Sequence, residues 1–438
     1  MKKFLLVCFC LSFGFGIPGF SHAGLSAQRE VLENGLVLIT SEQRALPIIS
    51  FHLLIKAGSR YDPQGSEGLA NLTSRLLTYG TAKRTALQIS ESTDFIGARL
   101  RTRANRDLAT LSLTLLKKDL DTGLELLAEL LTQSVFPQEE IERQKKSVLA
   151  SIKAKGERPR AIAGEKFRAA LFPHSPYGRP VEGTEESVKE LQQRELIRFY
   201  KGFYRPNRSI LAVVGDISRH EIKAKLDHVF RSWEKSSFSQ EPHPPGYSAS
   251  GESIRINKAL TQANIVMGHK GITRSHPDYY PIRVMSYILG GGGLSSRLPD
   301  AIRNERGLAY SVRTSFSADK HTGTFRISMQ TKNETAEEAI GIAIEEIRRI
   351  RNQEVTEEEL DSAKTFLIGS FPIRLDTNRR IARFLASVEY FELGLDYPDR
   401  FPELIRQVSR ADVARVARAH LHPEKLIVVV VANLDKVR

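Results

Sequence analysis

Three polar side chains, Asn71, Ser74 and Arg75, lie at i, i+3 and i+4 within the apolar stretch GSEGLANLTSRLLTYGT, Gly65 to Thr81. In a helix that spacing puts all three on one face. A hydrolytic zinc site on such a face needs histidines at i and i+4 as neutral ligands and a carboxylate to take a proton from metal-bound water. An amide, a hydroxyl and a guanidinium supply none of this. Asn is a weak zinc ligand, Ser cannot act as the general base, and Arg sets a permanent cation where a dication would sit.

Three further groups could carry chemistry. Gly290, Gly291, Gly292 and Gly293, followed by Leu294-Ser295-Ser296-Arg297-Leu298, let the backbone bend and come close to an extended peptide. The alternatives are a phosphate cradle, disfavoured because no Gly-Lys-Ser/Thr follows, and a plain turn between helices. If PDAIRNER is helical and breaks at Gly307, Arg303 and Tyr310 are presented together. A guanidinium and a phenol can hold a peptide carbonyl and stabilise charge developing on it; the bland reading is a surface ion pair plus a core tyrosine. The eleven histidines include no i, i+4 pair with a neighbouring carboxylate. His420 and His422 in AHLHPE precede a proline and read as a surface turn, and His174 reads as structural.

These residues need elements to hold them. LATLSLTLL alternates, with Leu111, Leu113 and Leu115 on one face, and predicts a half-exposed antiparallel strand. Leu120, Leu124, Leu127 and Leu131 then recur at helical spacing and predict a helix laid on that sheet. ILAVVGD and KLIVVVVANL predict short buried strands closing each half. Ser218 with Glu221 starts a helix, and Thr356 with Glu359 marks the start of the helix expected before KLIVVVVANL. SSFSQEPHPPGYSASGES, residues 236–253, is rich in Ser, Pro and Gly and reads as a linker between two similar halves, 24–235 and 254–438. The fold class is therefore α+β, two similar domains, each an antiparallel sheet packed with helices, consistent with an ancient duplication.

The chain opens MKKFLLVCFCLSFGFGIPGFSHA, with two lysines, an apolar run too short to span a bilayer, and a small-x-small site at Ser21-His22-Ala23. Residues 1–23 read as a cleaved secretory signal, with an uncleaved anchor as the rival. Both cysteines, Cys8 and Cys10, fall inside it, so a mature chain has no disulfide and no cysteine-ligated metal. Without Lys2 and Lys3 the basic count falls from 64 to 62 against 51 acidic residues, a net charge of +11. That favours acidic substrates or an anionic membrane surface, or else reflects ordinary solvation. The basic residues are scattered and rarely interleaved with aromatics, unlike a nucleic-acid platform.

The segment AGSRYDPQGSEGLANLTSRLLTYGT resembles the signature region of the pitrilysin-type metallopeptidases, the family of the mitochondrial processing peptidase and insulin-degrading enzyme. Gly68-Leu69-Ala70 and Gly80-Thr81 match the flanks of its inverted zinc motif, His-x-x-Glu-His. The motif positions then fall on Asn71, Ser74 and Arg75, and the family's third ligand, a glutamate, falls on Ser151 or Ala150 in KKSVLASIKAKGERP. FPHSPYGRPVEGTEES, FYRPNRSILAVVGD and LGGGGLSSRLPDAIRNERGLAYSV are similar to recurring family segments, so the resemblance spans nearly the whole mature chain.

The resemblance implies that Gly290 to Gly293 form the substrate-handling loop of a noncatalytic subunit, similar to the alpha-type partner of the mitochondrial processing peptidase. It also implies that Arg303 and Tyr310 complete a partner's site. The expected protein is a periplasmic half-enzyme without a metal of its own. Its partner would be a homologous subunit with an intact His-x-x-Glu-His motif and zinc, and their substrates peptides. A nonenzymatic scaffold or peptide-binding module with the same fold is the alternative, and hydrolysis through an unrelated site in this chain is a third reading.

Overall fold

The computed structural model describes residues 25–237, 246–248 and 251–437; the expected signal at 1–23 and most of the expected linker lie outside these residues. Among the described residues, eleven strands form two sheets. The first contains β1 (Ala27–Val31), β2 (Val37–Glu42), β3 (Ile48–Ile55), β4 (Arg99–Ala104), β5 (Ala109–Leu116) and β6 (Ser209–Gly215), in the order β1-β2-β6-β3-β5-β4. The second contains β7 (Glu252–Asn257), β8 (Gln262–Lys270), β9 (Ala309–Ala318), β10 (Gly323–Lys332) and β11 (Ile427–Ala432), in the order β7-β11-β8-β10-β9.

The two plans coincide once β1 is set aside. β2 lies parallel to β6 and β7 parallel to β11, and every other pairing in both sheets is antiparallel. β7 begins at Glu252, so the second sheet takes up the last residues of the stretch read as linker.

In β5 the predicted alternation holds, with Ala109, Leu111, Leu113 and Leu115 buried. They pack beneath α1 (Leu69–Leu76), α2 (Ala86–Phe95) and α3 (Leu120–Thr132), whose Leu120, Leu124, Leu127 and Leu131 form the expected stripe. α4 (Gln138–Gly156) and α5 (Pro159–Leu171) come next in the chain. Burying each such leucine contributes about 1.5–3 kcal/mol, which is what fixes α1 and its polar face in place.

The other face of the first sheet is covered from the far half of the chain. The Asn378–Tyr390 helix sets Ile381, Ala382, Leu385 and Ala386 against Ile39, Leu54, Ala212 and Val214. The exchange is reciprocal. From the first half, α5 sets Ala163, Phe167 and Leu171 against Val266, Ile427, Val429 and Val431 of the second sheet.

One expectation is corrected. Thr356 does cap a helix, Glu357–Gly369, with a full capping box to Glu359, but this helix does not lead into β11. Asn378–Tyr390, Tyr397–Arg406 and Arg410–His420 intervene, and the last, capped by Ser409 and Asp412, is the one before β11. No helix among the described residues is long and apolar enough to cross a membrane.

Candidate functional site

α1 begins at Gly68, whose φ of 97° favours glycine, and Asp62 caps it, accepting from the backbone N–H of Gly68 (3.0 Å) and Ala70 (2.9 Å). Burial pushes the Asp62 carboxyl up to about 8, against the opposing pull of those two donors. Leu69, Leu72 and Leu76 hold the helix to the core. On the polar face Ser74 is buried, and the half-buried Asn71 has an Oδ1 with no hydrogen-bond partner among the described residues.

Arg75 crosses to α4. Its Nε and one terminal nitrogen donate to Gln144 Oε1 at 3.3 and 3.2 Å, and the same terminal nitrogen donates to Ser147 Oγ at 3.2 Å. Ser151 lies one turn beyond Ser147 and, like Ala150, is exposed. Gln144 and Ser147 were not singled out in the sequence; their place on the Ser151 face, seven and four residues upstream, is the signal that marks them.

These residues do not fit zinc. The donors are two amides and three hydroxyls, none anionic and none an imidazole, and a guanidinium joins α1 to α4 where a metal would have to join them. No catalytic step can be assigned to this helix.

In the second half, the Tyr279–Ser286 helix runs into a π-helical turn, Tyr287–Gly291, that opens the glycine loop. Gly290 is buried, and a Cβ there would lie 2.4 Å from Thr314 Oγ1 on β9. Gly291 and Gly293 are exposed, as is Leu294, and Asn304 Nδ2 ties the loop to the next segment through the Leu294 carbonyl (3.1 Å). Arg297 is locked by a two-pronged ion pair to Glu359. The helical segment ends at Gly307, φ 63°, whose N–H donates to the Arg303 carbonyl. The structure brings the sequence-predicted pair together: the Arg303 guanidinium lies over the Tyr310 ring, 5.5 Å from its centroid. Tyr310 is 84% exposed at the edge of the sheet, with its hydroxyl open to a ligand.

The histidine reading is corrected. His420 and His422 help line a cavity of about 850 Å³ with His269, His276 and His321. His422 donates its backbone N–H to His269 Nε2 (3.0 Å), and burial holds His269 down at about 4. His420 Nε2 lies 2.7 Å from Asp278 Oδ2, and ligand atoms of His276, Asp278 and His420 gather within 4.8 Å of one another. Burial pushes the Asp278 carboxyl up, but hydrogen bonds from His420 and Arg415 outweigh it and leave the carboxyl below its ordinary value. Asp278 holds the cluster together through His420 and Arg415. Four separate segments build this wall, so no local spacing reveals it.

Residues 37–185 match the profile described as insulinase, peptidase family M16, and residues 190–367 match the peptidase M16 inactive domain. The chain belongs to peptidase family M16.

Among similar proteins, an "uncharacterized zinc protease" of Rickettsia bellii is 28% identical over 397 residues, covering 88% of this chain and 93% of the relative. The "non-peptidase homolog YmxG" of Helicobacter pylori is 26% identical, covering all of both chains. The crystal structure of a peptidase M16 inactive domain from Pseudomonas fluorescens superposes with a TM-score of 0.88 at 27% identity, over 93% of this chain and 98% of that one. With the zinc ligands and the base replaced, this chain is a noncatalytic M16 member.

Proposed function

We propose that the chain is the noncatalytic, substrate-binding subunit of a heterodimeric zinc metallopeptidase acting on peptides in the periplasm. The observation that carries this reading is the contrast between the two halves. Arg75 fills the metal position of one half, while the other keeps a half-buried Arg303 over an exposed Tyr310 beside an open glycine loop. A homologous partner with an intact His-x-x-Glu-His motif would supply zinc and general base. Arg303 and Tyr310 would donate to the scissile carbonyl as negative charge develops on it, and Gly290 to Gly293 would let the peptide backbone approach.

The test is to isolate the tagged chain from its native periplasm, identify what accompanies it, and count zinc per complex. A similar-sized partner carrying the intact motif, with one zinc per pair, supports the reading. In the recovered complex, Arg303→Ala or Tyr310→Phe should lower kcat by about 100-fold or more with assembly unchanged. Recovery of the chain alone, or full activity in both variants, would favour a peptide-binding scaffold. The count needs one control: zinc kept by the isolated chain but lost in His276→Ala/His420→Ala belongs to the histidine wall and not to α1.

A further inference from the structure

A cavity of about 570 Å³ lies between the β3-β5-β4 end of the first sheet and the Asn378–Tyr390 helix. Its floor is the polar face of that sheet: His52, Thr110, Ser112, Arg101 and Arg103, with Ser112 paired in register to both His52 and Arg101, and Thr110 to Arg103. Its other wall carries Arg379, Arg380 and Arg383. Arg380 and Arg383 also line a second cavity of about 390 Å³ that adds Arg274, Arg283 and Arg374, so the two form one basic cleft.

The charge is not balanced from within. Arg380 pairs with Asp376, but Arg101, Arg103, Arg379 and Arg383 have no carboxylate within ion-pair distance among the described residues. Of the lining acids, Asp107 is taken by Tyr177 and Arg60. Burial, and then the charge of Asp107, push the Asp319 carboxyl above its ordinary value. The excess is felt locally. Burial, then Arg383 and Arg103, hold His52 down at about 4, and burial, then Arg283 and Arg383, lower Arg374. Arg379 and Arg383 are also a like-charge i, i+4 pair, which weakens a helix standing alone.

The backbone indicates the kind of anion. β4 pairs only with β5 among the described strands, so its outer edge is open, and Arg99, Arg101 and Arg103 alternate along it on one exposed face. An extended peptide pairing with that edge presents same-face side chains every roughly 6.5–7 Å, the repeat of the arginines, and sets them directly opposite. A free phosphate or a nucleotide uses neither the edge nor the repeat.

We propose that this cleft is a subsite for acidic extended peptides, in which a segment adds to the edge of β4 and sets alternate carboxylates against Arg101 and Arg103, facing Arg379 and Arg383. The assignment rests on the reading of this chain as the substrate-binding half, and it names the class of substrate.

The experiment measures fluorescence anisotropy of the full chain, without any partner, against a labelled ten-residue peptide alternating Glu with Val. The controls are its Gln counterpart, a backbone N-methylated copy and inorganic pyrophosphate as competitor. The Glu peptide is expected to bind at least 10-fold tighter than the Gln peptide at low salt, with the advantage shrinking as salt rises. Arg101→Glu/Arg103→Glu should abolish that preference and favour a Lys-Val peptide instead, at an unchanged melting temperature. If that variant does not fold, Arg379→Gln/Arg383→Gln tests the opposite wall and should cost at least 5-fold. Equal affinity for the Glu and Gln peptides overturns the proposal, as does full binding by the N-methylated peptide or displacement by pyrophosphate at the peptide's own concentration. Because the chain is assayed alone, these outcomes are independent of whether it forms a heterodimer.

Discussion

Arg75 is the residue on which the loss of catalysis turns, and it has acquired a mechanical use. Its hydrogen bonds to Gln144 and Ser147 tie α1 to α4, so Arg75→Ala should destabilise the fold by about 1–2 kcal/mol. Denaturant titration checks this; an unchanged midpoint would mean the bonds are idle. Rebuilding the motif alone, as Asn71→His/Ser74→Glu/Arg75→His, should not create stoichiometric zinc binding by calorimetry, because Gln144, Ser147 and Ser151 on α4 supply no carboxylate. His52 gives the pH prediction. Folded His52 stays neutral down to about 4, whereas the unfolded chain takes up a proton near 6.5. Its contribution is therefore present above pH 6.5 and lost as pH falls from 6.5 to 4, by at most about 1.4 kcal/mol per pH unit. In His52→Gln the melting temperature should fall less steeply across that window than in the parent, and parallel curves would refute the assignment. The replaced triplet could be read from sequence because i, i+3, i+4 is a local relation. The Arg75 latch and the histidine wall could not, since their members meet only across elements.

At the scale of elements, the glycine loop takes its place because a π-helical turn brings Gly290 hard against β9. Gly290→Ala should cost about 1–3 kcal/mol through the clash with Thr314, and Thr314→Ala added to it should recover much of that loss. Additive losses in a double-mutant cycle would show the two do not meet. Capping chemistry made Thr356 and Ser218 readable as helix starts, and both side chains do accept the N–H three residues on. The extent of the helix beyond its cap was less readable. The turn Phe371–Leu375 and the start of a new helix at Tyr397–Pro398 divide the tract after Thr356 into several helices, and a cap marks only where the first of them begins. Two of the sheet edges, β4 and β9, occupy matching places in the two plans, one carrying the arginine row and the other Tyr310.

At the scale of the whole molecule, the duplicated plan was legible because each half repeats the order strands, helix, strand pair, helices, strand. The exchange of helices was not. The apolar stripes of α5 and Asn378–Tyr390 look like those of any amphipathic helix and carry no mark of which sheet they cover. A protease site engineered within 238–245 should therefore yield two fragments that stay together through gel filtration after cleavage. Each fragment holds a helix the other's sheet requires; separation would show that the crossed contacts are weak. The crossing also sets a schedule for synthesis. The face of the first sheet formed by Ile39, Leu54, Ala212 and Val214 exists once β6 has emerged, yet its cover arrives about 170 residues later. At roughly 5–20 residues per second that is a wait of about 10–35 s with a sticky surface showing. Until the Asn378–Tyr390 helix emerges, the first half of a nascent chain therefore carries an apolar face with no cover of its own.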